Sequence, residues 1–187
     1  MPAGSRLEQE FSPREREALN RALRFLDYRP RSSGEIRDRM RKWGYGTRVT
    51  GKVIGYLEDC GLVDDREFGR IFMEELVEKQ YGFYRVREKL FDKRLARDVI
   101  EEVMVDYPAE REFERAYELG TARAERLSGQ GEQVVQRKLM GFLERRGFPG
   151  GVAREVVRSL GRVDTELGRE ENRIGKYKAR KYLFIDI

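Results

Sequence analysis

The chain has 187 residues, 39% hydrophobic and 39% charged, with 39 Lys and Arg against 34 Asp and Glu. That length fits one domain or a short array of modules, and the charged fraction, above the usual quarter, suits an elongated helical protein with much exposed surface. One cysteine and no histidine exclude an internal disulfide and disfavour most metal, nucleophile and proton-shuttle chemistry.

No apolar run reaches the roughly 18 residues that a membrane helix needs, and the N-terminus lacks a signal-peptide core. A soluble, cytoplasmic protein is expected. Residues 1–12 read as a flexible lead. Ser12-Pro13-Arg14-Glu15 then gives an N-cap, a proline at the first helical position and a capping-box glutamate, so a helix starts there. Leu19, Ala22, Leu23 and Leu26 form its apolar stripe. Ser32-Ser33-Gly34-Glu35 starts the next helix, with Ile36, Met40 and Trp43 as its stripe. Gly44 to Thr47 breaks that helix and opens a third, carrying Val49, Val53, Ile54 and Leu57. All follow the spacing of one helix face.

Gly61 ends the third helix at the position where a left-handed residue is needed. In the following "GLVDDREFGRIF", Asp64 stands directly before a helix and Glu67 lies three residues on. Asp64 therefore reads as a helix cap, and Asp65 as a charge favoured by the helix dipole. A metal pair is the alternative, but adjacent helical side chains diverge by roughly 100° and rarely chelate unaided. Cys60, just before the glycine, reads as a small buried hydrophobe.

The stripes then recur: Phe68, Ile71, Phe72 and Leu76, next Val86 and Leu90, next Val99, Ile100 and Val103. Shifted by 50, Ile36 lands on Val86, Met40 on Leu90, Val49 on Val99 and Val53 on Val103. Shifted by a further 53, Val86 lands on Leu139, Leu90 on Leu143, Val99 on Val152 and Val103 on Val156. The expected fold is all-α, an elongated array of three tandem three-helix modules at 13–63, 64–107 and 108–160, packing on one another as repeat proteins do. A basic tail, 161–187, follows. It holds Arg173, Lys176, Lys178, Arg180 and Lys181 and ends in "YLFIDI"; arm, added helix and docking strand all stay open.

Charge segregates by helix. Arg29 to Arg48 holds seven basic residues against two acids, Arg85 to Arg97 six against two, and Arg137 to Arg146 four against one. Asp98 to Glu114 holds seven acids and one arginine. The second helices of the modules thus present a candidate contact surface: Arg29, Arg31, Arg37 and Arg41; Arg85, Arg87, Lys89, Lys93, Arg94 and Arg97; Arg137, Lys138, Arg145 and Arg146. A recurring basic row suits a phosphate backbone or an acidic groove on a polymer; a solvated face is the plainer alternative. Trp43, Phe91 and Phe148 lie nearby and read as core residues. Ser12, Ser32 and Asp64 read as structural caps. No catalytic constellation, metal site or cofactor site is visible, so an enzyme is not expected.

These residues resemble the RecX regulators of bacterial recombination. The likeness runs through "ALNRALRFLDYRPRSSGEIRDRMRKWGY", with Arg29, Arg31, Ser32, Glu35, Ile36 and Met40 in place. It continues through Gly61-Leu62-Val63-Asp64-Asp65 with Phe68, then "YGFYRVREKLFDKRLARDVIEEVM" and "KLMGFLERRGF". Arg94-Leu95 departs from the Gly-Ile pair usual there. The resemblance implies a regulator, without cofactor or active site, that binds the RecA–single-stranded DNA filament. It implies inhibition of strand exchange, ATP hydrolysis and coprotease activity, hence roles in recombination, repair and the SOS response. Partners would be RecA and possible single- or double-stranded DNA, with the protein a monomer. The alternative is a helix-turn-helix DNA-binding protein acting without RecA.

Overall fold

The computed structural model describes residues 11–163. The basic tail from Asp164 onward and the lead up to Glu10 lie outside the described residues. Every regular element among the described residues is helical: α1 Pro13–Leu26, α2 Ser33–Lys42, α3 Thr47–Asp59, α4 Asp65–Glu78, α5 Phe83–Asp92, α6 Arg97–Met104, a 3-10 turn Ala109–Arg111, α7 Glu112–Glu125, α8 Glu132–Arg145 and α9 Gly150–Val163. The fold is an all-α array of tandem three-helix domains.

Packing gathers the described helices into two units. One contains the chain up to Met73 together with Lys89–Val105; the other contains Glu74–Glu88 and the chain from Asp106. Helices α4 and α5 of the middle repeat therefore each contribute to both units.

In the first unit, α1 turns Ala18, Leu19 and Ala22 inward, α2 adds Ile36 and Met40, and α3 adds Val53, Ile54 and Leu57. Fully burying each larger aliphatic side chain contributes about 1.5–3 kcal/mol. Phe11, assigned to the lead from sequence, belongs to this core instead: it is buried and meets Tyr56 edge-to-face at 5.2 Å. A ring just outside the Ser12 cap can pack back on the helix body, which a helical period starting at Pro13 does not register. The second unit's C-terminal part closes over Ala116, Leu143, Phe148, Val152, Ala153 and Val156.

Caps set the helix starts. Ser12 Oγ accepts from Glu15 N–H at 3.4 Å while Glu15 accepts from Ser12 N–H at 2.8 Å. Ser32 and Glu35 make the same reciprocal pair at 3.0 and 3.4 Å. Asp64 Oδ1 accepts from Arg66 and Glu67 N–H at 2.9 and 3.0 Å. Such caps contribute about 0.5–2 kcal/mol each. Gly61 is left-handed, and the Leu62 and Val63 N–H groups bond back to the Leu57 carbonyl. This turn returns Val63 to the core. It leaves Cys60 exposed at the C-cap of α3, so its reading as a buried hydrophobe is corrected. Trp43 is only half-buried and Phe91 is 41% exposed, while Phe148 is fully buried; of the three, only Phe148 is a core residue.

One joint occurs twice. In the first unit, Ser32 Oγ donates to the Lys93 carbonyl at the α5–α6 turn, and Asp65 accepts from Ser33 N–H and Ser33 Oγ, both at 2.7 Å. In the second, Gly82 N–H donates to the Arg146 carbonyl at 2.9 Å, and Glu112 accepts from Phe83 N–H at 2.8 Å. In each case the second helix of one repeat starts against the second turn of the next repeat, and is capped by an acid from that repeat's first helix. The approach is close: a Cβ on Gly34 would sit 2.1 Å from the Arg94 carbonyl oxygen, and one on Gly82 2.4 Å from the Phe148 nitrogen. Side chains at these positions are thereby excluded.

Candidate partner-binding surface

Ion pairs and burial sort the fourteen basic candidates. Arg29 clasps Glu35 in a two-pronged pair, 2.6 and 3.1 Å, and Arg31 lies 3.8 Å from the same carboxylate with its guanidinium 4.1 Å from the Phe25 ring. Burial pushes the Glu35 carboxyl up, but the Arg29 hydrogen bond and charge, with Lys93 and the Ser32 N–H, outweigh it and hold the carboxyl below its ordinary value. Burial also lowers the Arg31 guanidinium. These two arginines tie the α1–α2 turn together. Arg146 likewise donates to the Lys79 carbonyl at 2.7 Å and covers the Tyr81 ring at 4.4 Å.

The structure brings Arg41 and Arg94 together: both reach Asp38, at 2.9 and 3.2 Å. Arg37 is exposed on the same helix. Arg97 pairs with Glu101 at 2.8 Å and Arg85 with Glu88 at 2.6 Å, each inside its own helix. Arg87 and Lys89 are half-buried, and the Lys93 ammonium lies 4.7 Å from the Phe72 ring. Arg137, Lys138 and Arg145 are exposed on α8, with Lys138 donating to Gln130 at 2.7 Å.

Arg94 stands where the other repeats have glycine. Its φ is 62°, against 84° at Gly44 and 90° at Gly147, the positions equivalent by the 50- and 53-residue shifts. A left-handed arginine costs about 1–2 kcal/mol relative to glycine. The exposed pair with Asp38 returns about 1 kcal/mol at most.

Two features escape a reading of charge runs. The first is the role of Asp65 and Glu112 in capping helices of the preceding repeat. Glu112 is 6% exposed and also accepts from Tyr107 Oη at 2.8 Å. Burial raises its carboxyl above the ordinary value against the hydrogen bonds from Phe83 and Tyr107, and burial first, then the Glu112 charge, raises the Tyr107 phenol. The second feature is a run of alternating guanidiniums and rings between α1 and α2. Arg31 lies over Phe25, Arg39 lies 5.3 Å from Phe25 and 5.4 Å from Trp43, and Arg21 lies 4.7 Å from Trp43 and 5.8 Å from Tyr45. Of its contacts only Arg39–Trp43, an arginine four residues before an aromatic, has a spacing that the sequence shows; the others join residues six or more positions apart.

Among the described residues no group of three or more His, Cys, Asp and Glu is placed to hold a metal ion. No helix among them is long and apolar enough to cross a membrane. Asp64 and Asp65 each accept from backbone N–H groups of different helices.

The profile described as RecX, first three-helix domain, matches residues 18–57, and that of the RecX third three-helix domain matches residues 110–157. The chain is 33% identical over 177 residues to the regulatory protein RecX of Mycolicibacterium smegmatis, covering 89% of each chain. It is 31% identical over 157 residues to that of Amycolatopsis mediterranei, covering 80% of this chain and 87% of the relative. Against that of Listeria innocua the identity is 27% over 140 residues, and the match spans 52% of that longer protein. The crystal structure of RecX from Lactobacillus salivarius has a TM-score of 0.70 at 20% identity, covering 78% of this chain and 96% of that one. A second RecX crystal structure gives 0.68 over 78% and 71%; both speak for the fold. A third of positions shared along nearly the whole of a relative, with the family's first and third domains falling on the first and third repeats, makes this chain a member of the RecX family.

Proposed function

We propose that this chain regulates RecA by binding the RecA–single-stranded DNA filament, and that it does so without catalysis of its own. On this reading it blocks strand exchange, ATP hydrolysis and coprotease activity, acting as a cytoplasmic monomer in recombination, repair and the SOS response. The observation that supports it best is the repeated joint. Equivalent contacts recur with a near-constant spacing along the chain, and three linked modules suit a partner that is itself a polymer of equivalent subunits. Linked contacts convert weak single-module affinities into strong occupancy. The exposed arginines on the second helices and their following turns, Arg37, Arg41 and Arg94 foremost, would face acidic filament surface or bound strand.

The test is ATP hydrolysis by RecA preassembled on single-stranded DNA. Wild-type protein should slow it at substoichiometric ratios. An Arg37→Glu/Arg41→Glu variant with an unchanged melting curve should need about tenfold more protein, since each lost interfacial charge contact weakens binding by about 1 kcal/mol or more. A variant as potent as wild type would remove α2 from the contact surface. Direct DNA binding of helix-turn-helix type, without RecA, remains the second reading, favoured by the basic character of α1 and α2.

A further inference from the structure

Each repeated joint has two halves: the helix start of one repeat, and the second turn of the repeat that follows it. The Lys93–Arg94 turn receives the helix start at Ser32, and the Arg146–Gly147 turn receives the one at Gly82. The 50-residue shift carries the receiving half back once more, to Trp43–Gly44 in the first repeat. Among the described residues no repeat precedes it. Gly147 is buried, and a Cβ there would fall on the Arg85 backbone. Gly44 is exposed, and a Cβ there would meet nothing within 4 Å among the described residues. The first repeat thus holds a receiving turn with no incoming helix start described on it.

The two filled joints show what an incoming segment must carry. In the first, Gly34 lies against the Arg94 backbone. The same shifts match Gly34 with Tyr84 and Arg94 with Gly147. In the second joint the Tyr84 N–H donates to the Gly147 carbonyl at 3.0 Å. Each matched pair therefore contains one glycine, on the incoming side at Gly34 and on the receiving side at Gly147. The backbones approach too closely for a side chain on both. A receiving glycine, as at Gly44, suits an incoming residue that has a side chain.

The lead, residues 1–10, joins the described fold beside this turn. Phe11 is anchored on Tyr56, and the Arg14 guanidinium reaches the Gly44 carbonyl at 3.4 Å. In the lead, Ser5-Arg6-Leu7-Glu8 has the Ser-x-x-Glu spacing of Ser12–Glu15 and Ser32–Glu35. Aligned on Ser32–Glu35, Leu7 takes the place of Gly34, and its partner is Gly44. The chain from Ser5 to Phe11 can span about 20 Å, enough to bring Leu7 back to the turn. Glu8 and Glu10 also complement Lys42 and Arg48, exposed cations on either side of it. We propose that Ser5–Glu8 docks on the Trp43–Gly44 turn as the incoming half of a third joint. The lead then closes this end of the array, and a partner that brings its own helix start to the turn must displace it. The contact lies within the first unit and involves no RecA, so it and the filament reading fail independently.

The test is amide exchange in the full chain, alone in solution. Arg6, Leu7 and Glu8 should exchange about tenfold or more slowly than in a peptide of residues 1–10. Gly44→Asn keeps the left-handed turn, which asparagine tolerates, and sets a side chain against Leu7. It should return the lead amides to peptide rates while Ser33 and Phe83 stay protected. Adding Leu7→Gly to Gly44→Asn leaves one glycine in the pair again and should restore protection at Arg6 and Glu8. Ser5→Ala/Glu8→Ala alters no described residue. It should release the lead and let acrylamide quench Trp43, the chain's one tryptophan, more strongly. Peptide-rate exchange of the lead in the wild type would overturn the proposal and leave the turn to an outside partner. Protection unchanged by Gly44→Asn would place the lead elsewhere, and protection lost on dilution would assign the turn to a second copy of the chain. Should Gly44→Asn also expose Ser33, the Ser5→Ala/Glu8→Ala chain decides: unchanged lead exchange there overturns the proposal.

Discussion

Arg94 carries a backbone conformation that its side chain disfavours, and the two equivalent positions show what the site prefers. Arg94→Gly should stabilise the fold by about 1 kcal/mol, the left-handed penalty removed less a weak exposed ion pair; urea unfolding measures it directly. Gly34→Ala should cost about 1–3 kcal/mol, because the new methyl meets the Arg94 backbone, which cannot move as a side-chain tip could. Glu15 supplies a prediction in pH. Hydrogen bonds from the Ser12 N–H and hydroxyl, then Lys52, lower its carboxyl from the ordinary 4.5 to about 2. Its folded value lies below its unfolded one, so its contribution is present above pH 4.5 and is lost as pH falls toward 2. Glu15→Gln should flatten the acid limb of the stability curve in that window. Glu112 has the opposite sign: its raised carboxyl makes ionisation costly, so its contribution fades as pH rises through the folded value.

At the scale of elements, the helices and their caps were legible because their causes are local. Ser12, Ser32 and Asp64 bond N–H groups two or three residues away, and the apolar stripes repeat with the helix turn. The joints were not legible, because Ser32 meets Lys93 and Phe83 meets Glu112, distances along the chain that no local pattern encodes. Asp65 shows the difference within one dipeptide. Its neighbour caps its own helix, as the spacing says, while Asp65 caps α2, 32 residues away. Asp65→Ala should therefore cost about 0.5–2 kcal/mol although it removes no cap from its own helix. Its loss should show as faster amide exchange at Ser33, which Asp64→Ala leaves protected. The third repeat departs from the pattern. By the 53-residue shift Phe83 corresponds to Gln136, yet α8 begins at Glu132, one turn earlier, and Gly131 offers no side-chain cap. The start of α8 thus differs from those of α2 and α5. The aromatic-arginine run was half visible. The Arg39–Trp43 pair can be read from its four-residue spacing, but that Arg21 meets Trp43 and Tyr45, and Arg31 and Arg39 meet Phe25, depends on packing.

For the whole molecule, the repeat read from two shifts of apolar positions carried the fold class and the motif resemblance carried the family, while the candidate surface was only partly recovered. Charge counts located the basic helices, but could not say that Arg29, Arg31 and Arg146 are spent on holding turns together, or that Arg41 and Arg94 share one aspartate. A linear count treats every arginine as available; the fold commits several of them to carbonyls, carboxylates and rings. What remains exposed, chiefly on α2, at Arg94 and on α8, is a smaller set than the fourteen, and it is the set on which filament binding should depend. The most direct measurement is the rate of ATP hydrolysis by RecA preassembled on single-stranded DNA as this protein is added. Regulation of the filament predicts a progressive fall at ratios well below one per RecA subunit, relieved by salt. An unchanged rate, with the protein present at concentrations that saturate the same DNA in the absence of RecA, would contradict it.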